Sequence, residues 1–361
     1  MSRPTDLLRL AISSKGEFET ETRRFLDSAG LPVRRPNPRQ YTGRVGTLPD
    51  TLVLFQRTAD IVAKVADGSA DVGITGYDLV AEHSQDDDDL LVLLPSLGFR
   101  ASRLVVAVPQ AWLDVATLED LADLSSDFKR RGRSLRVVTK FPNLTREFFH
   151  RHGVTYFTLI GAEGALEAAP AMGYGDMIVD ITETGVTLRD NHLKILDGGT
   201  VLQSQACLIG NRRTLAASAD KREAARHLLE LAEARLRVQG YHVLTANIQG
   251  ATAEAVARHV LAHGETSGMQ GPTIARVYPK DSEQHPPGLD WYAVTVVVES
   301  PLLLRAVDHL RASGASGITV VRPDYVFGAQ SESYGRLLSE LGLASAASTA
   351  PVADARVPVG D

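Results

Sequence analysis

The chain has 361 residues, which leaves room for two or three domains, and its 44% apolar and 23% charged residues are typical of globular proteins. A net charge of −6 argues against a non-specific nucleic-acid binder, because such a protein needs a broad basic surface. No run approaches the ~18 apolar residues of a membrane helix, and the N-terminal residues show no signal-peptide pattern. The single Cys207 fits a reducing compartment, so we expect a cytoplasmic protein with neither membrane nor nucleic-acid partners.

Two stretches of the chain share one pattern. Residues 8–15 predict a strand that ends in a hydroxyl residue and a lysine, and an amphipathic helix over 17–29 follows it. Residues 135–140 predict a strand with the same ending, and a helix over 142–153 follows that one. The repeated pattern suggests an internal duplication.

A second pair of stretches supports the duplication. A predicted helix over 60–67 leads through glycine into a strand over 71–76, and a predicted helix over 163–172 leads through glycine into a strand over 176–180. Alternating strands and helices with short links predict parallel sheets, and hence two similar α/β lobes. Loops at the carboxyl ends of such strands meet at one edge of a sheet, so we expect the two lobes to share a cleft.

The C-terminal part of the chain predicts a separate module. A helix over 221–238 precedes strands and helices in the order β-α-β-β-α-β, which is the ferredoxin-like arrangement. Residues 344–361 are rich in Ala, Ser, Val and Pro, and they predict a disordered tail. The predicted organisation is lobe 1 at residues 1–105 with a return segment at 190–220, lobe 2 at 106–189, a C-terminal domain at 221–330 and an extension at 331–361 that we expect to be a disordered tail.

The segment 176–188 holds the most informative group of polar residues. Its apolar run ends in Asp180, and Thr182, Thr184, Gly185 and Thr187 follow. Glycine allows a sharp turn with free N–H groups, threonines add hydroxyl donors, and a helix that begins after the glycine would point its positive end at the same place. This pattern suits a phosphate, with the aspartate accepting hydrogen bonds from sugar hydroxyls. A Thr/Gly-rich turn with a helix-capping aspartate would have the same composition, and the segment alone leaves both interpretations open.

Phosphorylated ligands need cations, and several lie at predicted strand ends. Arg39 lies in a loop stiffened by prolines, and Arg57 opens a helix although a cation there opposes the helix dipole. Any one of them would fit a surface salt bridge equally well. The chain has no Walker motif, no dinucleotide fingerprint and no Cys/His metal pattern, so its chemistry would rely on positioning and charge stabilisation. The candidate cations are Lys15, Arg39, Arg57, Arg103 and Lys140.

Short motifs spread over most of the chain carry a family resemblance. They are Ser14-Lys15-Gly16, residues 37–41, Phe55-Gln56-Arg57, residues 67–78, Leu97-Gly98-Phe99, Ser102-Arg103-Leu104, residues 139–146, Glu167-Ala168-Ala169-Pro170 and residues 180–189. In these motifs the chain resembles the long form of ATP phosphoribosyltransferase, the enzyme of the first step of histidine biosynthesis. The resemblance implies two lobes of the type found in type II periplasmic binding proteins, together with a C-terminal ferredoxin-like regulatory domain.

The resemblance also implies a reaction. N1 of the ATP adenine would attack the anomeric carbon of phosphoribosyl pyrophosphate (PRPP), and pyrophosphate would leave with Mg²⁺ shielding its charge. The implied catalytic residues are Lys15, Arg57 and Asp180. The implied PRPP-binding residues are Asp180, Thr182, Glu183, Thr184, Gly185, Val186 and Thr187. The implied ATP- and phosphate-binding residues are Lys15, Gly16, Arg39, Arg57, Arg103 and Lys140.

Regulation and assembly follow from the same resemblance. It implies inhibition by L-histidine and AMP, and a homo-oligomer, a hexamer with dimers as its building unit. Glu183 is the one residue that departs from expectation, because a carboxylate so near a phosphate has to point away from it. Two other functions stay open at this point: a two-lobed binding or sensor protein for a phosphorylated metabolite, and a catalytically inert regulatory subunit.

Overall fold

The structure is a computed structural model that describes residues 7–37, 39–83, 88–162, 164–262, 271–278 and 288–343. It divides into two compact units, the first formed by the chain up to Leu229 together with the part from Glu332 onward, and the second by Glu230–Ser331. Within the described residues, no helix combines the length and the apolar character needed to cross a membrane.

The elements are numbered in chain order. The strands are β1 (Leu8–Ser13), β2 (Val33–Arg34), β3 (Thr42–Val45), β4 (Thr51–Gln56), β5 (Val72–Gly76), β6 (Leu90–Leu94), β7 (Ser102–Pro109), β8 (Leu135–Thr139), β9 (Phe157–Gly161), β10 (Met177–Thr182), β11 (Leu193–Ser204), β12 (Ala206–Asn211), β13 (Tyr241–Gly250), β14 (Thr273–Val277), β15 (Asp290–Glu299) and β16 (Ser316–Val321). The helices are α1 (Gly16–Ser28), α2 (Thr58–Ala66), α3 (Tyr77–His83), α4 (Leu118–Arg130), α5 (Pro142–Arg151), α6 (Val186–Asp190), α7 (Arg212–Ala217), α8 (Ala219–Arg237), α9 (Ala253–Val260), α10 (Leu303–Ala312) and α11 (Glu332–Glu340).

The first unit contains two sheets with matching strand orders. The lobe 1 sheet runs β2-β3-β4-β1-β5-β12-β6, and the lobe 2 sheet runs β11-β7-β10-β8-β9. In each lobe three parallel strands, β4-β1-β5 or β9-β8-β10, are followed by one antiparallel strand that crosses from the other lobe, β12 or β7. The predicted fold class of two similar α/β lobes is confirmed.

The central strands are buried on both faces because helices cover each sheet. All five residues of β5 are buried, as are the alternate positions Thr51, Val53 and Phe55 of β4, while the half-buried Leu54 packs against the cluster that includes Ile61 of α2. In lobe 2, Phe148 and Phe149 of α5 pack onto the core beneath β8 and β10. Truncating a fully buried phenylalanine such as Phe149 would cost about 3–5 kcal/mol, so these residues hold the strand ends in place.

The duplication extends to individual hydrogen bonds. In lobe 1, the backbone N–H and the Nε of Arg9 donate to Asp71 at 2.8 and 3.0 Å, and its Nη2 donates to the Gly68 carbonyl at 2.7 Å. In lobe 2, the backbone N–H and the Nε of Arg136 donate to Asp176 at 2.8 and 3.2 Å, and its guanidinium also reaches the carbonyl of Gly173. In both lobes the arginine fixes the glycine-containing turn that leads into the next strand.

Lobe 1 adds one partner that lobe 2 lacks at the matching position. The Nζ of Lys221 in α8 donates to Asp71 Oδ1 at 2.9 Å, and both side chains are almost completely buried. Burial by itself would raise the pKa of Asp71, but the hydrogen bonds from Arg9 and Lys221 outweigh it and hold that pKa below its usual range. The start of α8 is therefore fixed to lobe 1 by a buried charge network.

The predicted return segment is wrong in its first half. β11 was expected to return to lobe 1 within residues 190–220, yet it pairs with β7 at the edge of the lobe 2 sheet. The chain reaches lobe 1 only with β12, which pairs with β5 and β6. Both strands are apolar, and strand pattern alone does not tell which sheet a strand joins.

The predicted helix over 163–172 is also wrong over its described part. Residues 166–168 form a single 3-10 turn, and Ala165 before it adopts a left-handed φ of 49°. Pro170 lacks the N–H that a longer helix would need. Glu163 lies outside the described residues.

The extension from residue 331 begins with a helix rather than a disordered tail. In α11, Leu337 is buried, Arg336 Nη2 donates to the Leu93 carbonyl of β6 at 3.3 Å, and Glu340 accepts a hydrogen bond from Arg212 at 2.9 Å. The chain thus comes back to the first unit after completing the second. The tail prediction for residues 344–361 lies outside the described residues.

The second unit has an antiparallel sheet in the order β14-β15-β13-β16. With α9 between β13 and β14, and α10 between β15 and β16, this is the predicted β-α-β-β-α-β plan. Its core lies between the sheet and the two helices, and includes Leu244, Val294, Val296, Ala306 and Leu310.

Candidate active site

The carboxyl edge of the lobe 1 sheet places two predicted cations side by side. The Ser14 N–H donates to the Gln56 carbonyl at 2.8 Å, so the residues that follow β1 and β4, Lys15 and Arg57, are neighbours. Each is exposed and occupies the N-cap of a helix, α1 or α2, with no side-chain cap to satisfy the first N–H groups. Gly16 is exposed at the first position of α1. Two cations and two open helix ends together suit a polyanion.

The loop with Arg39 lies along the same edge. β3 runs antiparallel to β4, and the Phe55 N–H donates to the Tyr41 carbonyl at 2.9 Å, which brings the loop next to the carboxyl end of β4. Arg39 is exposed there, as is 73% of Tyr41. The structure therefore brings Arg39 to the edge that carries Lys15 and Arg57.

A group of hydroxyls fixes the start of α2. The Oγ of Ser13 and the Oγ1 of Thr58 lie 2.9 Å apart, and Thr75 Oγ1 lies 3.4 Å from the Thr58 carbonyl. Ser13 and Thr75 are buried at the ends of β1 and β5. These contacts join two strand ends to the helix that follows Arg57, and so they orient its backbone.

In lobe 2, the loop after β10 is closed by its own hydroxyls. The Gly185 N–H donates to Thr182 Oγ1 at 2.9 Å, and the Val186 N–H to Thr184 Oγ1 at 3.4 Å. Gly185 has a φ of +73°, a conformation that favours glycine over other residues. The predicted helix after it, α6, has only five residues, so its dipole contributes less than the sequence suggests. Glu183, Thr184, Val186 and Thr187 are exposed on this loop.

Asp180 is the most perturbed acid of this edge. Burial raises the pKa of its carboxyl above the usual range, while the Ile181 N–H, which donates to Oδ1 at 2.8 Å, and the charge of Lys140 lower it. The charge of Glu167 raises that pKa further. Asp180 in the second half of β10, Lys140 immediately after β8 and Glu167 in the 3-10 turn that follows β9 are therefore close enough for their charges to interact. Sequence reasoning quoted Glu167 only as part of a motif and gave it no role.

Arg103 reaches the same edge on the crossing strand β7. In the antiparallel ladder of β7 and β10, it pairs with Thr182 at the start of the Thr/Gly loop. Its side chain is exposed. The structure therefore places Arg103 and Lys140 at the carboxyl edge of the parallel strands of lobe 2.

A buried carboxylate of lobe 1 also contacts lobe 2. Glu82 of α3 accepts hydrogen bonds from the Asn143 and Leu144 N–H groups at 2.8 and 3.0 Å, and it is 2% exposed. It caps the N-terminus of α5 from the other lobe, so this helix end is already occupied. Sequence reasoning missed Glu82, because its partners are 61 and 62 residues further along the chain.

Arg100 joins the lobes near the Thr/Gly loop. Its Nη1 lies 2.9 Å from Glu17 Oε2 of α1 and 3.0 Å from Glu183 Oε1 of lobe 2. The carboxylate of Glu183 is thus directed to Arg100, which agrees with the expectation that it points away from a phosphate. Sequence reasoning also missed Arg100, which lies between two motifs of the resemblance.

Within the described ranges, no group of three or more His, Cys, Asp or Glu side chains is arranged to hold a metal ion. Cys207 is buried in β12, and burial raises the pKa of its thiol far above the usual range. It is therefore unsuited to be a nucleophile. The site consists of cations, hydroxyls and one or two carboxylates.

Comparison with protein families shows to which family the chain belongs. The family model described as ATP phosphoribosyltransferase matches residues 57–237, and the model described as the C-terminal domain of the same family matches residues 239–322. The chain belongs to the ATP phosphoribosyltransferase family. The two matches cover lobe 2, the part of lobe 1 from residue 57 onward and the sheet domain, which is the long-form organisation implied by the sequence.

Individual relatives agree over nearly the whole chain. ATP phosphoribosyltransferase 2, chloroplastic, of Arabidopsis thaliana is 38% identical over 338 residues, 93% of this chain and 81% of the relative. The ATP phosphoribosyltransferase of Bradyrhizobium sp. (strain ORS 278) is 36% identical over 332 residues, 91% of this chain and 97% of the relative. A solved ATP phosphoribosyl transferase (HisG:HisZ) complex from Thermotoga maritima is 27% identical, with a TM-score of 0.49, 63% of this chain and 97% of that chain being covered.

Membership in this family makes the chain a phosphoribosyl-transferring enzyme of histidine biosynthesis. The expected enzyme class is confirmed, and the alternative of a binding or sensor protein is wrong. Binding proteins can have the same two-lobed plan as this enzyme family. The sequence left that alternative open because a fold of this kind does not determine function.

Proposed function

We propose that this ATP phosphoribosyltransferase transfers the 5-phosphoribosyl group of PRPP to N1 of the ATP adenine and releases pyrophosphate. The observation that carries the proposal is the contact of Arg100 with Glu17, next to the cations of lobe 1, and with Glu183 of the Thr/Gly loop, which brings that edge close to the edge with the half-buried Asp180. Both substrates are polyanions, and each phosphate needs cationic or N–H partners when it leaves water.

Each edge has its own part in the proposed reaction. The loop from Thr182 to Thr187 binds the 5-phosphate through N–H and hydroxyl groups, and Asp180 accepts hydrogen bonds from ribose hydroxyls. The bond from the anomeric carbon to pyrophosphate breaks, its electron pair leaves with the pyrophosphate, and N1 of adenine forms the new bond. The phosphates of ATP and the leaving pyrophosphate are neutralised by Lys15, Gly16, Arg39, Arg57, Arg103 and Lys140.

The reaction needs no covalent intermediate. Positive charge develops on the ribose ring as pyrophosphate departs, so a carboxylate below the ring and cations around the leaving group both stabilise the transition state. Mg²⁺ bound to the substrate phosphates, rather than to protein ligands, would shield their charge as pyrophosphate leaves. We place the reaction in the cytoplasm, in accord with the single buried Cys207.

The first test is a pyrophosphate-release assay with ATP, PRPP and Mg²⁺. Pyrophosphate should appear only when both nucleotide and PRPP are present, because neither substrate alone contains both the leaving group and the nucleophile. Release from PRPP alone would indicate hydrolysis, and no release from the folded chain would favour the inert-subunit alternative.

Asp180→Asn should lower kcat/KM for PRPP about 10²-fold, because hydrogen bonds from ribose hydroxyls to a charged acceptor are replaced by weaker ones. The raised pKa of Asp180 means that the carboxylate form is lost at a higher pH than for an ordinary aspartate. The wild-type activity should therefore fall on the acid side above the usual range of aspartate, and the variant should lack this acid limb. A variant with the wild-type pH profile would remove Asp180 from the reaction.

We further propose that the second unit binds L-histidine as a feedback inhibitor, that AMP also inhibits, and that the chain forms a hexamer built from dimers. Truncation after residue 220 is a poor test, because it removes most of α8 and also α11, which packs in the first unit. Hydrogen exchange on the full chain is cleaner. L-histidine should slow exchange within residues 241–321 and lower the rate of pyrophosphate release; slowed exchange confined to residues 7–229 would contradict this assignment.

A further inference from the structure

Arg100 lies on the connection between β6 and β7, where the chain passes from one lobe to the other. Its backbone has a φ of +57°, a left-handed conformation that non-glycine residues adopt rarely. Such conformations persist where surrounding contacts hold them, and they concentrate at functional sites. The conformation favours glycine, so an arginine here points to a role for its side chain.

The guanidinium of Arg100 contacts carboxylates of both lobes. Nη1 lies between Glu17 of α1, at 2.9 Å, and Glu183 of lobe 2, at 3.0 Å. Nε lies 3.7 Å from Glu21, one turn further along α1. The side chain of Arg100 is 32% exposed, so water screens these pairs only in part.

Glu183 creates an electrostatic difficulty for the proposed phosphate loop. It lies between Thr182 and Thr184, whose hydroxyls close the loop, and its own carboxylate carries the same sign of charge as a phosphate. A carboxylate that turned into the loop would repel the 5-phosphate. The contact with Arg100 keeps it turned out and balances its charge.

The same contact connects the loop to lobe 1. α1 begins immediately after Lys15, and Glu17 lies in its first turn. Because one nitrogen of Arg100 contacts both Glu17 and Glu183, it ties the start of α1 to the loop of lobe 2. The contact thereby fixes the position of Lys15, at the carboxyl edge of lobe 1, relative to the Thr/Gly loop of lobe 2.

We propose that Arg100 is a positioning residue for the phosphoribosyl donor, which holds the Glu183 carboxylate away from the phosphate loop and fixes that loop to the start of α1. The inference rests on the proposed function of the loop. Arg100 acts through Glu183 and does not itself contact the substrate.

The sharpest variant is Arg100→Gly, because glycine suits the positive φ and only the side chain is lost. KM for PRPP should rise about tenfold. This is the scale of the repulsion between one carboxylate that has lost its cationic partner and a phosphate dianion at a water-like dielectric constant. kcat should change less than about threefold, since the groups around the anomeric carbon stay in place. KM for ATP should stay within about twofold of the wild-type value.

A second substitution separates repulsion from a general structural effect. In Arg100→Gly with Glu183→Gln, the repelling charge is gone, and KM for PRPP should return to within about threefold of the wild-type value. Raising the ionic strength from about 0.05 to about 0.5 M should shrink the defect of the single variant, because salt screens an exposed charge. A double variant as impaired as the single one, or a defect unaffected by salt, would overturn the proposal.

Glu17→Gln tests the tie to α1 by itself. It leaves Glu183 paired with Arg100 but weakens the contact between Arg100 and α1, so KM for PRPP should rise only about twofold to threefold, less than in Arg100→Gly. If Arg100→Gly does not fold, Arg100→Lys replaces it: one charge with fewer donors should raise KM by an intermediate factor, and an unchanged KM would count against the proposal.

Calorimetric titration with PRPP and Mg²⁺ keeps this test apart from the proposed function. A wild-type chain that binds PRPP but releases no pyrophosphate would overturn the proposed reaction. The role of Arg100 would still be tested, because the Kd values of the variants for PRPP should then change by the factors expected for KM. A wild-type chain that binds no PRPP would overturn both.

Discussion

Arg57→Ala should lower kcat/KM by about 10²–10³, the scale for removing one charged partner of a transition state. Arg57 is exposed at the N-cap of α2, next to Lys15 and beside the loop of Arg39, where the sheet edge has its highest density of cations. Negative charge builds up on pyrophosphate as it departs, and without Arg57 one fewer positive charge stabilises it. The effect should fall mostly on kcat, because the charge grows in the transition state. Steady-state kinetics with varied PRPP measures it.

Lys64→Ala is the control for that experiment. It removes the same unit of charge from the same helix, but Lys64 lies in the last turn of α2, away from the carboxyl edge, in an exposed pair with Asp67. Its kcat/KM should stay within about twofold of the wild-type value. Equal losses in both variants would mean that net charge, not the position of Arg57, matters, and wild-type turnover in Arg57→Ala would remove Arg57 from the site.

Asp71→Asn should lower the free energy of unfolding by about 3–5 kcal/mol, the cost of leaving a buried charge without its partner. Asp71 is fully buried and accepts from both Arg9 and Lys221, so the substitution leaves a buried ammonium unpaired. Because its pKa is lowered in the folded state, its contribution is fully present above pH ~4 and is lost as the pH falls through the lowered value. Urea unfolding at pH 7 and at acid pH measures both effects, and the difference between the proteins should narrow in acid.

The duplication supplies the control for this prediction. Asp176 of lobe 2 makes the same contacts with Arg136, but Arg136 is 40% exposed, and the second cation near Asp176 is Arg133, 3.9 Å away and 60% exposed, rather than a buried lysine. Asp176→Asn should therefore cost only about 1 kcal/mol. In addition, Lys221→Met in the Asp71→Asn background should recover part of the loss. Equal costs at the two aspartates would contradict the role given to the buried lysine.

Local patterns were enough to predict the parts of this site that follow directly from a strand. Lys15, Arg57 and Lys140 each come one or two residues after the end of a strand, and parallel strands bring such positions to one edge. The loop after β10 was visible in the same way, since its threonines and glycine are adjacent in sequence. These features depend on the spacing of apolar residues and on residues that are adjacent in the chain, and both can be read from a single sequence.

The parts that the sequence did not reveal depend on distant partners. Arg100 contacts Glu17 across 83 positions, and Glu82 caps α5 across 61. Neither glutamate differs locally from a surface residue, and the left-handed conformation of Arg100 has no signal in an arginine. β11 was assigned to the wrong lobe for a similar reason, because its apolar pattern fits the edge of either sheet.

The most direct test of the proposed reaction is the identity of its product. The chain is incubated with ATP, PRPP and Mg²⁺, with pyrophosphatase added to draw the reaction forward, and the product is isolated for mass spectrometry and NMR. The account predicts one new species, with the mass of ATP plus one phosphoribosyl group and the ribose carbon bonded to N1 of adenine. Attachment at any other atom of ATP, or transfer to water instead of ATP, would contradict it.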